Sequence, residues 1–285
     1  MKRFLFLLSC LPLSLFAQQH AKDILGKATR SDLQQEPHAT WFNKNFNDYQ
    51  PDNACVAKLR QQDVSKVKVK IVFGSWCGDS KREVPRMVKL LDAMSFPEQN
   101  IEFIAVDDSL AVYKQSPTRE EAGLGVYRVP TFIVYQKNKE VGRVVEYPAE
   151  SLERDVLAIL QKKPYTPNYF SYPAIARWMA EGQLTDPNVS SRGLAQQLLG
   201  KVQHESELNA CGYVLMADKK VNEAITVFRI NANLFPQSAN CFDSLGEAYA
   251  VAGLTEKATQ AYEQALRLNP ESANAKEQLK KLKGD

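Results

Sequence analysis

Short apolar runs broken by turn residues mark the first half of the chain, whereas helical spacing dominates the second. Residues 67–73, Val-Lys-Val-Lys-Ile-Val-Phe, read as a strand, and residues 81–91 that follow read as a helix. Residues 100–107 alternate like a buried strand, and a polar stretch after them reads as a helix ending near Gly123-Leu124-Gly125. Residues 129–135 form a strand that begins with proline, 136–139 a turn, and 140–146 its hairpin partner. An amphipathic helix with a Ser151 start signal closes this part over residues 151–160. An earlier helix around residues 53–59 carries Cys55.

The prolines of residues 162–169 stop that closing helix and mark a linker. Beyond it, residues 173–181 and 190–201 read as helices, and a self-similarity with a period of 34 residues then sets in. Gly212 recurs as Gly246, Ala224 as Ala258, Phe228 as Tyr262, Pro236 as Pro270, Leu208 as Phe242 and Leu215 as Tyr249. The small residues let paired helices approach, and the aromatics fill the space between them. These positions resemble the tetratricopeptide repeat: two repeats, with a Lys-rich helix over residues 273–283 as a cap.

The chain's 285 residues suffice for two cores, and its 36 Lys and Arg barely outnumber its 33 Asp and Glu. With no basic stripe, nucleic acid is a poor partner. Lys2 and Arg3 precede an apolar run, 4–16, that ends in Ala17-Gln18-Gln19. That order predicts a signal peptide over residues 1–17 and an exported, periplasmic protein. Lipid anchoring through Cys10 is the weaker alternative, because the apolar stretch before it is short. No other segment is long and apolar enough to cross a membrane. His20, His38 and His204 show no metal-ligand spacing, and no cofactor is implied. Asp107-Asp108 reads as a solvated loop rather than a carboxylate pair.

The densest chemistry lies in Trp76-Cys77-Gly78-Asp79-Ser80, between the 67–73 strand and the 81–91 helix. A cysteine at a helix N-terminus meets free N–H groups and the positive end of the helix dipole, which favour its thiolate. Asp79 adds negative charge nearby and opposes that effect. With Pro85 eight residues after Cys77, and with Val129-Pro130-Thr131, this stretch resembles the thioredoxin superfamily over roughly residues 38–163. The resemblance implies a kinked active-site helix, a cis Val129–Pro130 bond beside Cys77, and a backbone edge there for extended substrates.

Two departures matter. Ile71 stands where thioredoxins hold a buried Asp, and Ser80 stands where they hold the resolving cysteine. A lone Cys77 thiolate can attack a disulfide and form a mixed disulfide, but a second thiol must release the partner. The Ser80 hydroxyl has a hydrogen bond to offer the Cys77 thiolate but cannot expel a client. Cys55 is the candidate internal resolving thiol, although the resemblance places its helix on the sheet face away from the Cys77 helix and a buried small residue is the plainer reading.

The expectation is therefore an α/β thioredoxin-like domain over 38–163, a linker and helical extension over 164–204, and an all-α tetratricopeptide-type unit over 205–285. Trp76, Cys77 and Ser80 form the reactive set, and Val129 and Pro130 position a client. By the repeat resemblance, Asn209, Tyr213, Met216, Asp243, Glu247 and Ala250 line a concave face that binds a partner peptide. The lysines of a carboxylate clamp are absent from those positions. Cys211 falls at an interior repeat position and Cys241 at an outward one, so the two are not expected to face each other. Two functions fit: an exported monothiol protein that exchanges disulfides with client proteins, or an adaptor that binds partners without turnover.

Overall fold

The computed structural model describes residues 23–284. The expected signal segment, Cys10 and His20 lie outside the described residues. A mixed α/β sheet region is followed by an all-helical region. The first comprises β1 (Gly26–Ala28), α1 (Arg30–Leu33), α2 (His38–Asp48), α3 (Asn53–Leu59), β2 (Val67–Phe73), α4 (Gly78–Ala93), β3 (Ile101–Ala105), β4 (Thr131–Gln136), β5 (Lys139–Val145) and α5 (Leu152–Leu160). The second comprises α6 (Ser171–Ala180), α7 (Ser191–Leu198), α8 (Ser206–Ala217), α9 (Val221–Leu234), α10 (Ala239–Val251), α11 (Thr255–Leu268) and α12 (Ala273–Lys283).

The sheet order is β1-β3-β2-β4-β5, with β2 and β3 parallel and every other pair antiparallel. Lys137 and Asn138 take left-handed φ values of 52° and 63°, which turns the chain tightly enough to pair β4 with β5. Strand alternation divides the two faces. Val67, Val69, Ile71 and Phe73 point into one core with Val84, Met87, Leu90 and Leu91 of α4, Phe42 of α2, and Leu152, Val156 and Ile159 of α5. Val72, Ile104 and Ile133 form a smaller cluster on the other face, which Trp76 and Cys77 join.

Three expectations are corrected. The sheet region begins at Gly26, before residue 38, because β1 pairs with β3 as an added edge strand. Between β3 and β4 there is no polar α-helix, only a 3₁₀ turn at Leu110–Val112. Proline and glycine break that segment, with left-handed φ values of 55° at Lys114, 61° at Arg119, 77° at Gly123 and 61° at Gly125. Ser116 and Glu121 tie it into turns instead: the Ser116 N–H donates to Glu121 Oε2 at 2.9 Å. Finally, the Cys55 helix lies on the same sheet face as the Cys77 helix, because Val56 and Leu59 enter the core that α4 enters.

In the helical region the 34-residue spacing becomes geometry. A Cβ on Gly212 would stand 2.4 Å from the Phe228 ring, and one on Gly246 would stand 2.9 Å from Tyr262. Both aromatics are essentially unexposed, so each glycine is what lets its helix pair close. Cys241, expected to face outward, is fully buried, and the equivalent Glu207 is buried too. Glu207 turns inward because it caps α6, accepting from Ser171 N–H at 2.8 Å and Ser171 Oγ at 2.5 Å.

The two regions share packing. Tyr127 and Val145 of the sheet region join the helical core with Tyr172, Ile175 and Trp178. Polar links cross as well: Arg119 Nη2 meets Asp218 at 2.5 Å, and Arg128 Nη2 donates to Ser206 O at 2.7 Å.

Candidate functional site

Cys77 is the N-cap of α4, with extended backbone angles, φ −78° and ψ 128°. Its N–H donates to Gly74 O at 3.0 Å, and its own carbonyl accepts from Lys81 N–H at 2.9 Å. The helix therefore starts at this residue, whose side chain makes no capping hydrogen bond to the free N–H groups of the first turn. The half-buried thiol donates to the carbonyl of Val129 at 3.3 Å, and the Val129–Pro130 bond is cis. Trp76 packs beside Cys77 on the Val72, Ile104 and Ile133 cluster, its indole N–H fixed on Val106 O at 2.8 Å. Gly74 makes room for that ring, since a Cβ there would stand 2.5 Å from it.

Ser80 is fully buried, and its Oγ accepts from the Gly74 N–H at 3.2 Å. Among the described residues it forms no hydrogen bond with Cys77, so the hydroxyl is spent holding the strand-to-helix junction. Ile71 is unexposed in the core, which leaves no acid at that place. Asp79, on the first turn of α4, pairs with Arg82 at 2.7 Å. Pro85 lies inside α4 and is buried.

Charged groups that the motif does not contain lie around the Trp76 ring and the cis-proline. Lys114 is only 5 % exposed. Its Nζ sits 3.6 Å from the Tyr113 ring centroid and 5.8 Å from that of Trp76. Burial, with the Arg128 guanidinium nearby, pulls its ammonium down to about 7, against the opposing pull of Cys77, Glu146 and Asp108. Glu146 is buried with a left-handed φ of 63°; its N–H donates to Pro130 O at 2.7 Å and its carboxylate pairs with Arg128 at 3.2 Å. Burial nevertheless raises its carboxyl above the usual range. Sequence reasoning missed Lys114 and Glu146 because no spacing marks them; only the place of Arg128 beside Val129-Pro130 was a usable signal.

Cys55 is not part of this arrangement. It stands on α3 beside Asp52, Arg154 and Ala158, and its own helix enters the sheet core opposite to the cluster that Cys77 joins. Burial and the Asp52 carboxylate push its thiol up. Cys211 is fully buried with its thiol raised by burial, and Cys241, likewise pushed up to about 12, points its Sγ toward Glu205 at 3.6 Å.

Of the residues expected on the repeat face, Tyr213 and Glu247 meet, Met216 packs with Tyr213 on the helical core, and Ala250 packs on the separate cluster of Ala258 and Tyr262. Tyr213 donates to Glu247 at 2.8 Å, and Asn274 of α12 donates to Asp243 at 2.7 Å. One oxygen each of Asn209 and Asp243 is buried without a hydrogen-bond partner. Tyr213 also packs its ring edge-on to Tyr113, at 6.4 Å between centroids. The loop that carries Lys114 therefore runs from the thiol to this face. Among the described residues no cluster of His, Cys, Asp and Glu could hold a metal ion, and no helix is long and apolar enough to cross a membrane.

No model of a known protein family matches the chain, and no curated protein matches it.

Proposed function

We propose that the chain is an exported, thioredoxin-like monothiol protein that exchanges disulfides with client proteins, held by a tetratricopeptide-type helical unit. The observation that carries the reading is the Cys77 thiol at the N-terminus of α4, 3.3 Å from Val129 O beside a cis proline. A thiolate there attacks one sulfur of a client disulfide. A bond forms between Cys77 Sγ and that sulfur, the client S–S bond breaks, and the second client sulfur leaves as a thiolate. With Ser80 in place of a second cysteine, that client thiol or another small thiol completes the exchange.

The adaptor reading rests on the same two residues, Ser80 and Ile71, which leave the chain without a self-resolving pair. Reactivity separates the two. The purified full chain is incubated at neutral pH with a small alkyl disulfide and adducts are mapped by mass spectrometry. The exchange reading predicts an adduct on Cys77 that disappears in Cys77→Ser and persists in Cys55→Ala. An unmodified Cys77, or an adduct confined to Cys55, supports the adaptor instead.

A further inference from the structure

Helix α8 touches both chain segments that frame the Trp76-Cys77 site. At its N-terminal end, the Ser206 carbonyl accepts from Arg128 Nη2 at 2.7 Å. Arg128 directly precedes Val129, whose carbonyl receives the Cys77 thiol at 3.3 Å, and its own carbonyl accepts from Thr131 Oγ1 at 2.7 Å. In the middle of α8, the Tyr213 ring meets Tyr113 edge-on, 6.4 Å between centroids. At the C-terminal end, Asp218 accepts from Gln115 Nε2 at 3.2 Å and pairs with Arg119 at 2.5 Å. The β3–β4 loop held by these contacts is closed on itself: Asp107 N–H donates to Gln115 O and Lys114 N–H to Asp107 O, each at 2.9 Å. It departs from Val106, whose carbonyl fixes the Trp76 indole at 2.8 Å, and its Lys114 Nζ lies 5.8 Å from a Trp76 ring centroid.

We propose that α8 is the positioning element of the Cys77 site: it holds the cis-proline segment at one end and the β3–β4 loop along the rest, so the partner of this helix face is the chain's own sheet region. The inference rests on the exchange reading above for the disulfide rate it predicts, and on geometry for the rest. The contacts run the length of Ser206–Ala217, about 18 Å at 1.5 Å per residue, so one rigid element sets the two segments relative to each other. Tyr213, expected to receive a partner peptide, already has its ring on Tyr113 and Phe228 and its hydroxyl on Glu247. The surface is therefore engaged within the chain. Val129 O and Trp76 in turn define where the sulfur sits, and a small misplacement of a reacting atom costs rate steeply. Arg128, Tyr213 and Asp218 are positioning residues in this account.

Amide hydrogen exchange and Cys77 kinetics, measured together on the full chain in a Cys55→Ala background, test this. The Asp107 and Lys114 amides read the loop, and the amides of α10 and α11 read the fold of the helical unit. Cys77 is followed at pH 7 with iodoacetamide, which reads the thiol alone, and with bis(2-hydroxyethyl) disulfide, which reads exchange. Loss of the edge-on pair in Tyr213→Ala is expected to speed loop exchange by roughly 5-fold and to slow both reactions of Cys77 by a similar factor, with α10 and α11 unchanged. Tyr213→Phe, which keeps the ring and gives up the Glu247 bond, is expected to restore the loop and both rates. Asp218→Ala, at the helix end and outside the apolar core, is expected to move the loop and Cys77 in the same direction as Tyr213→Ala. Should Tyr213→Ala also loosen α10 and α11, Asp218→Ala alone decides. An unchanged loop, or a loosened loop with an unchanged iodoacetamide rate, overturns the proposal. A parent Cys77 that reacts with iodoacetamide but not with the disulfide overturns the exchange reading instead, and the loop and alkylation results still decide the role of α8.

Discussion

Removing the charge of Lys114 should stabilise the protein, and by an amount that depends on pH. An unfolded lysine titrates near 10.5, and this one is held at about 7 when folded. Between those pH values the unfolded chain binds more protons than the folded one, so stability rises with pH across that window. The cost of burying the ammonium is complete below pH 7 and gone above 10.5. At 1.36 kcal/mol per pH unit it is roughly 5 kcal/mol. A methionine of similar length escapes that cost but forfeits the cation–π contact with Tyr113, about 2 kcal/mol for a desolvated pair. Lys114→Met should therefore gain about 3 kcal/mol over the parent at pH 6, and the gain should shrink by about 1.4 kcal/mol per pH unit between pH 7 and 10. Urea unfolding of both proteins at unit pH steps, followed by far-ultraviolet circular dichroism, measures the difference directly. A difference that does not change with pH, or a variant less stable than the parent at pH 6, would refute the reasoning.

Two further measurements probe the fold and one the missing thiol. Phe228→Ala, which empties the space beneath Gly212, should cost roughly 3–5 kcal/mol in chemical unfolding. Arg128→Ala should cost about 3 kcal/mol, because it strands the buried Glu146 carboxylate, whereas Arg154→Ala, which breaks an exposed pair with Glu150, should cost less than about 1 kcal/mol. Ser80→Cys places a second sulfur beside Cys77 and should create insulin-type disulfide reduction; no reduction by that variant would mean that the site geometry is not thioredoxin-like.

Local signals account for what was legible in the sequence. Alternation identified β2, and the residues around Lys137-Asn138 identified the β4–β5 turn, since both are decided by neighbours in the chain. Gly212 and Gly246 announced their aromatic partners because a helical repeat fixes which residues meet. The segment between β3 and β4 was misread because its polar residues suit a helix, while its conformation is set by left-handed Lys114 and Arg119 and by side-chain turns around Ser116. The face chosen by α3 depends on which side of the sheet offers apolar neighbours, information that residues 53–59 do not carry. Cys77 was visible from its motif. Lys114 and Glu146 come to the Trp76 ring and the cis-proline only through tertiary packing, and no pattern in the chain joins them to the motif.

The central claim is that Cys77 carries partners covalently, and trapping in cells tests it most directly. Cells making the tagged full chain are quenched with acid and alkylated, and the protein is recovered under non-reducing conditions. The account predicts reductant-sensitive complexes that vanish with Cys77→Ala and persist with Cys55→Ala. Complexes that survive Cys77→Ala, or that are lost with Cys55→Ala alone, would contradict it.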